Sequence, residues 1–234
     1  MKNIILAITL ARGGSKSVPR KNIKLLNGLP LIAYTINEAK KSKYINKYIV
    51  STDDEEIKNI SLSYGAEVPF LRPNNLSNDT ASSADALIHA VNFMETKYSI
   101  KYDYIIELMC TNPLKTVDDI DKCIEKLIET KADSVIAVHK LEDHHPLRIK
   151  KIVDDHIIDF YLPEPLEARR QDLKPDAYIR SGSIYALKRD YLMEQKKRYG
   201  SINSRPYILS DNKAVNVDTE LDFYLAEQIL QNKF

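Results

Sequence analysis

The sequence predicts an α/β protein built on a doubly wound and mainly parallel sheet with helices on both faces. Near-continuous apolar runs at residues 4–10 and 104–109 are typical of strands that are buried on both faces. Amphipathic helical patterns alternate with such runs along most of the chain. Ligands bind beyond the carboxyl ends of the strands in sheets of this kind, so the loops that follow the strands are the candidate functional segments.

The remaining elements follow from the same patterns. Pro30, the acidic residues from Asp53 and the hydroxyl of Thr219 each indicate the start of a helix, and Gly65 indicates an end. Predicted strands cover residues 4–10, 46–52, 66–71, 104–109, 134–139 and 178–187. Predicted helices cover residues 31–41, 53–64, 81–97, 117–131, 190–198 and 219–231.

The alternation breaks at about residues 141–176. A strand-like stretch at 149–161 followed by a Pro- and Arg-rich segment predicts an inserted hairpin or arm. The segment has too few apolar positions to form a core of its own, so we expect it to pack against a second subunit in a homodimer. We interpret residues 1–234 as a single domain that carries this excursion.

Composition excludes several classes of function. A length of 234 residues with 44% hydrophobic content suits one sizeable core, and a net charge of +1 gives no overall field for nucleic acid or an anionic membrane. Cys110 and Cys123 lack metal-ligand spacing and are expected to be reduced, buried thiols. With neither a targeting signal nor a membrane-spanning run in the sequence, we expect a cytoplasmic protein.

The loop after the first predicted strand has the composition of a polyphosphate site. Gly13 and Gly14 allow close approach of backbone N–H groups to an anion, and Ser15 adds a hydroxyl. Cations of the same loop are Arg12, Lys16, Arg20 and Lys21. The spacing matches neither the Walker loop nor the dinucleotide fingerprint, so the loop by itself is also compatible with a plain solvated connection.

This loop is the first of several motifs that occur in a fixed order along the chain. They lie at residues 10–16, 21–22, 50–53, 71–73, 79–83, 111–114, 144–147, 182–185 and 217–222. Together they resemble the CMP-sialic-acid synthetases, the acylneuraminate cytidylyltransferases, over nearly the whole chain. The resemblance implies transfer of CMP from CTP, with Mg²⁺, to the anomeric hydroxyl of a 2-keto sugar acid, with release of pyrophosphate. It also implies a dimer on a Rossmann-like sheet.

The resemblance also assigns roles to residues. Contacts to CTP are expected from Leu10, Ala11, Arg12, Gly13, Gly14, Ser15, Lys16, Lys21, Asn22, Arg72 and Ser83. Of these, Arg12, Lys16 and Lys21 would hold the triphosphate, and Asn22, Arg72 and Ser83 the cytidine. Contacts to the sugar are expected from Met109, Thr111, Arg148, Arg170, Ser181 and Tyr185. Arg12, Lys16, Lys21 and Asp218 are the catalytic candidates, and Asp218 is the metal candidate, with Asn216 as a weaker second ligand.

Three positions depart from the family pattern. Asn216 stands where an aspartate is expected, which favours one metal or a shifted second site. Met109 replaces a glutamine and Ser181 an asparagine, and the apolar thioether suits a deoxygenated or more acylated sugar.

Two other functions stay open at this stage. One is a nucleotidyltransferase that acts on a phosphorylated acceptor, and the other is a catalytically silent relative that only binds nucleotide, which Asn216 prompts. The sequence does not choose among sialic, legionaminic and pseudaminic acids as acceptor.

Overall fold

The computed structural model describes residues 3–15 and 17–232. A mixed sheet lies at its centre. Its strands are β1 (Ile5–Leu10), β4 (Lys47–Ser51), β5 (Tyr104–Leu108), β6 (Ser134–Lys140), β9 (Tyr178–Lys188) and β10 (Ser204–Ile208). The described strands lie in the order β10-β6-β9-β5-β1-β4, and β9 is antiparallel to both of its neighbours while the other pairs are parallel.

Helices cover both faces of this sheet, as predicted. They are α1 (Leu31–Ala39), α2 (Glu55–Ser63), α3 (Ser83–Tyr98), α4 (Val117–Thr130), α5 (Arg189–Gln195) and α6 (Glu220–Asn232). Alternate side chains of β1 point to opposite faces: Ile5 packs in the cluster that contains residues of α4, and Leu6 in the one that contains residues of α3. Both faces of β1 are therefore buried in separate apolar layers.

The predicted helix starts have visible physical causes. The Asp54 side chain accepts a hydrogen bond from the backbone N–H of Ile57 at the start of α2. Asp222 accepts from the Thr219 backbone and hydroxyl at the start of α6, and the Thr219 hydroxyl accepts in return from the Asp222 N–H. At α3 the capping residue is Ser82, so the helix begins at Ser83 and not at residue 81.

Other expectations differ from the structure. Residues 66–71 form no strand, and their backbone pairs with the sheet only through isolated parallel bridges from Glu67 to Ile49 and from Leu71 to Thr52. The predicted helix at 190–198 ends at Gln195, because Lys196 adopts a left-handed conformation. Strand β10 at the sheet edge was not predicted, and neither was the short hairpin of β2 (Leu25–Leu26) and β3 (Leu29–Pro30).

The predicted excursion contains a hairpin. Strands β7 (Lys150–Val153) and β8 (His156–Asp159) pair antiparallel and belong to a sheet separate from the central one. Many large apolar side chains of this segment are exposed to solvent, including Ile152, Ile157 and Leu166. The excursion thus lacks a core of its own, as its sequence predicts.

The topology brings the candidate loops to one edge of the sheet. Strands β1, β4, β5, β6 and β10 share a direction, so their carboxyl ends lie together, and antiparallel β9 enters the sheet at that edge. Cys110 and Cys123 are both buried free thiols, as expected. Of the helices in the described residues, none is long and apolar enough to cross a membrane.

Candidate active site

Two adjoining cavities open at the carboxyl edge of the sheet, and we call them the first and second cavity. The first, of about 340 Å³, is lined by residues that include Arg72, Ser83 and Glu107. The second, of about 330 Å³, is lined by residues that include Lys21 and Asp218. Leu10, Arg12 and Met109 line both. The predicted nucleotide loop and the end of β5 therefore form the boundary between two pockets.

The loop after β1 is held by carboxylates. Arg12 Nη1 lies 2.9 Å from Asp79 Oδ1, and the Gly13 N–H donates to Asp53 Oδ1 at 3.0 Å. A Cβ atom at Gly13 would lie only 2.7 Å from Asp54 Oδ2, so any larger residue here would displace the Asp54 carboxylate. The close approach at Gly13 is thus made to a neighbouring loop. Gly14 has open space around it.

Arg20 has a structural role in this loop. Its guanidinium binds both oxygens of Asp54 and also Glu56, which ties the loop to the first turn of α2. The hydrogen bond from Arg20 is the largest cause of the lowered pKa of Asp54. Arg20 is therefore engaged within the protein, and Lys16 lies outside the described residues.

Lys21 meets the metal candidate. Its Nζ lies 2.8 Å from Asp218 Oδ1, although the two residues are 197 positions apart in the chain. Lys21 is buried, whereas the Asp218 side chain is 59% exposed. The Asn216 amide donates to the other carboxylate oxygen of Asp218. Asn216 itself lies against Gly182, where a Cβ would come within 2.7 Å of Asn216 Oδ1.

Arg72 and Ser83 lie together in the first cavity. Arg72 is 5% exposed, and its Nε donates to Ser77 Oγ at 3.0 Å. Burial lowers the pKa of Arg72, an effect that nearby Asp53 opposes. Asn22, the third predicted cytidine contact, lines the second cavity instead. Its amide donates to the Arg12 carbonyl, and it accepts from the Cys110 thiol.

The predicted sugar contacts are divided by the structure. Met109 lines both cavities, and Thr111 lines the second. Ser181 is buried and donates to the Ala137 carbonyl at 2.9 Å. Tyr185 is 4% exposed in the core, with the Arg198 guanidinium 4.7 Å from its ring centroid.

Arg148 and Arg170 lie in the excursion, away from the lining of both cavities. Arg148 is within 3.5 Å of Glu164, and Arg170 within 3.0 Å of Asp143. In this chain the two arginines are thus engaged by acidic residues of their own segment.

Sequence reasoning missed a buried ion pair at the first cavity. Glu107 is 1% exposed and accepts from Arg198 at 2.7 Å. Burial raises the pKa of Glu107, and Arg198 opposes that rise. A charged residue inside the apolar run of β5 was the available signal, because an acid in a strand buried on both faces requires a partner. Asp79, the partner of Arg12, lies in the motif at 79–83, but its polar loop gave no comparable indication of an ion pair.

The fold and the site define an α/β protein with two adjoining cavities at the carboxyl edge of its sheet, where proteins of this class bind ligands. Residues 6–231 match the family model described as Cytidylyltransferase, and the chain belongs to that family.

Two relatives cover nearly the full length. The chain is 33% identical over 234 residues to pseudaminic acid cytidylyltransferase of Campylobacter jejuni subsp. jejuni serotype O:23/36 (strain 81-176), covering 97% of this chain and 95% of the relative. It is 32% identical over 229 residues to CMP-N,N'-diacetyllegionaminic acid synthase of Campylobacter jejuni subsp. jejuni serotype O:2 (strain ATCC 700819 / NCTC 11168), covering 98% and 96%.

A solved structure shares the fold. CMP:2-keto-3-deoxy-manno-octonic acid synthetase complexed with CTP superposes with a TM-score of 0.73 at 18% identity, covering 99% of this chain and 100% of that one. The prediction of a Rossmann-like sheet is confirmed.

Proposed function

We propose that the protein transfers CMP from CTP to the anomeric hydroxyl of a 2-keto-3-deoxy nonulosonic acid and releases pyrophosphate. The pair of adjoining cavities that share Arg12 and Met109 carries this proposal. The nucleoside would occupy the first cavity beside Arg72 and Ser83. The triphosphate would extend past Arg12 toward Ser15 and Lys21, and the acceptor would lie against Met109 and Thr111.

The reaction is a displacement at phosphorus. The acceptor hydroxyl oxygen forms a bond to the α-phosphorus, the bond to the β-phosphate oxygen breaks, and the hydroxyl proton is released. Most of the catalysis in such a transfer is positioning and charge neutralisation. Arg12 and Lys21 are suited to this task because their present partners, Asp79 and Asp218, are more than half exposed carboxylates that a triphosphate would replace.

The residues at the second cavity fit a Mg²⁺ ion held mostly by the nucleotide. Mg²⁺ commonly binds substrate phosphates, waters and one or two carboxylates. Asp218 supplies one exposed carboxylate here, and no cluster of three or more His, Cys, Asp or Glu side chains with ligand geometry is found within residues 3–15 and 17–232. The ion would neutralise phosphate charge during the transfer. Asn216 would orient the Asp218 carboxylate through its amide.

The acceptor class follows from the relatives, whose names specify pseudaminic acid and N,N'-diacetyllegionaminic acid. Identities of 33% and 32% do not separate these acceptors, so the proposal is for the class of nonulosonic acids. The apolar Met109 at the boundary of the cavities would contact a deoxygenated or acylated part of the sugar.

Product analysis tests the proposal. The enzyme is incubated with CTP, Mg²⁺ and, separately, pseudaminic, N,N'-diacetyllegionaminic and N-acetylneuraminic acids and a sugar phosphate, and mass spectrometry and a pyrophosphate assay follow the products. We expect a CMP-sugar and one equivalent of pyrophosphate from at least one acid. A product from the sugar phosphate alone would indicate a phosphorylated acceptor, and binding of CTP without any product would indicate a silent relative.

We also propose that the protein is a homodimer joined through the excursion at 141–176. Ile152, Ile157, Tyr161 and Leu166 are 77%, 74%, 87% and 96% exposed in the single chain. An exposed apolar patch of this kind is typical of a surface that a second copy covers.

Analytical sedimentation measures the oligomeric state and so tests this proposal. The double variant Ile152→Ser/Ile157→Ser should be monomeric at micromolar concentration where the unaltered protein is dimeric. Ile202→Ser is the matched control, since Ile202 is fully exposed but lies outside the excursion. A monomeric unaltered protein would contradict the proposal.

A cytoplasmic location is part of the same proposal. The buried thiols of Cys110 and Cys123 suit a reducing compartment, where CTP is also available.

A further inference from the structure

Lys115 is a buried lysine that the proposed chemistry does not use. It is 2% exposed and lines neither cavity. Its ammonium donates to Thr35 Oγ1 at 2.6 Å, to the Met109 carbonyl at 2.7 Å and to the Asn112 carbonyl at 2.6 Å. Burying a long cationic side chain is costly, so three short hydrogen bonds to one nitrogen indicate a specific role.

The three acceptors join the loop after β5 to helix α1. Strand β5 ends at Leu108, and the carbonyls of Met109 and Asn112 converge on Lys115. The Met109 N–H still donates to the Ser183 carbonyl of β9 at 2.9 Å. Thr35 lies in α1 and fixes the ammonium to a rigid element. The Lys115 N–H also donates to Asn112 Oδ1 at 3.0 Å, which closes the loop on itself.

This loop in turn holds the segment that carries the metal candidate. The Val217 N–H donates to the Thr111 carbonyl at 2.7 Å. The Asn112 amide donates to the Lys213 carbonyl at 2.8 Å. A displacement of the loop would therefore move Met109, Thr111 and Asp218, all of which line the cavities.

We propose that Lys115 is a positioning residue that fixes residues 109–112 between the two cavities and thereby aligns the acceptor with the nucleotide. Its effect on catalysis rests on the proposed function. Its effect on the loop is independent of the proposed function, because the hydrogen bonds of Lys115 form within the protein without any substrate. Lys115 acts through backbone carbonyls and does not touch substrate.

Burial supports a role for the side chain beyond its charge. Burial lowers the pKa of Lys115 to about 7. The decrease is opposed by Cys110 on the same loop, Glu38 on α1 and Asp119 on α4. A neutral amine still donates to both carbonyls and can accept from the Thr35 hydroxyl. The loop is therefore held in either protonation state.

The test compares Lys115→Met with Lys115→Arg. Methionine keeps most of the length and removes all donors, so we expect kcat to fall on the order of tenfold or more, because small misplacements of reacting groups are costly. The KM for CTP should change less than about threefold, since residues of other elements line most of the first cavity. Arginine restores donors and should recover part of kcat.

Arg189→Met is the matched control for lost stability. Arg189 is a largely buried cation that binds Glu95 at the opposite edge of the sheet. The Arg189→Met substitution should lower the melting temperature about as much as Lys115→Met does, while kcat stays within about twofold of that of the unaltered enzyme.

Hydrogen exchange separates this proposal from the proposed function. Lys115→Met should accelerate exchange at residues 109–112 and 217, and Arg189→Met should not. If the unaltered enzyme forms no CMP-sugar, the proposed function fails while the exchange result still decides the role of Lys115. Unchanged exchange and unchanged kcat in a folded Lys115→Met protein would overturn the proposal, and so would equal loss of kcat in Arg189→Met.

Discussion

The loops after β1 and β5 meet at the same edge of the sheet but are held by opposite kinds of contact. In the β1 loop, Arg12 binds Asp79, and their side chains are 39% and 52% exposed. In the β5 loop, Lys115 is 2% exposed and binds two backbone carbonyls and a hydroxyl. One loop is held by exposed ion pairs and the other by buried hydrogen bonds.

The difference suits each loop to a different task. An exposed ion pair contributes about 0–1 kcal/mol, so a phosphate can replace a carboxylate partner at little cost. An unsatisfied buried carbonyl costs about 1–3 kcal/mol, so the β5 loop is kept in one position. The β1 loop is suited to exchange partners with a ligand, and the β5 loop to serve as a fixed surface beside it.

The largest expected effect concerns Asp218, which connects the two loops through Lys21 and the segment at 213–217. Asp218→Asn should lower kcat on the order of a hundredfold or more, because phosphate charge would be less neutralised. Asn216→Ala should cost far less, and Asn216→Asp should tighten the dependence on Mg²⁺. Titration of Mg²⁺ at saturating CTP measures all three, and unchanged turnover with the same Mg²⁺ midpoint in Asp218→Asn would place the metal elsewhere.

A smaller effect is expected from the cations of the β1 loop. Arg12→Ala and Lys16→Ala should each raise the KM for CTP and lower kcat by about tenfold, since each removes a positive charge meant for the triphosphate. Steady-state kinetics with CTP as the varied substrate measures this.

Arg20→Ala is the control within the same loop. Arg20 is engaged by Asp54 and Glu56, so its loss should reduce stability more than it changes the KM for CTP. Equal kinetic effects of Arg12→Ala and Arg20→Ala would remove the distinction between exchangeable and structural cations in this loop.

A separate effect, on stability and not on turnover, is a pH dependence that arises in the β5 loop. The pKa of Lys115 is lowered to about 7 in the folded protein from 10.5. Between these values the unfolded chain binds more protons, so folding stability from this group rises with pH from about 7 to 10.5. Denaturant unfolding across this range should show the stability of the unaltered protein increasing relative to Lys115→Met, and a constant difference would contradict the lowered pKa.

Local signals predicted much of the fold. Apolar runs located β1, β4, β5, β6 and most of β9, since burial on both faces leaves a pattern within the strand itself. Residues 66–71 carry a similar pattern yet pair with the sheet only through isolated bridges at Glu67 and Leu71, because Pro69 between them has no N–H to donate to a ladder. Strand β10 contains Pro206 and many exposed side chains, so its pattern was too weak to predict.

The candidate site was predicted in part for the same reason. The composition of the β1 loop indicated anion binding, and the order of motifs placed Arg72, Ser83, Met109 and Thr111 at loops that the structure brings to the two cavities. The sequence did not predict which distant residues would pair at the site. The Lys21–Asp218 pair spans 197 positions, and no local pattern encodes such a contact.

By itself the sequence determined the α/β class, the alternation of strands and helices, the helix starts in the acidic run from Asp53 and near Thr219, the excursion at 141–176 and the position of the cationic loop. These features depend on side-chain periodicity and turn chemistry, which act over a few residues. Only the tertiary structure decided the antiparallel placement of β9, the engagement of Arg20 by α2 and the burial of Lys115 beneath the β5 loop. Those features depend on which distant segments pack together, and a lysine in a polar loop looks the same in sequence whether it faces solvent or a pair of buried carbonyls.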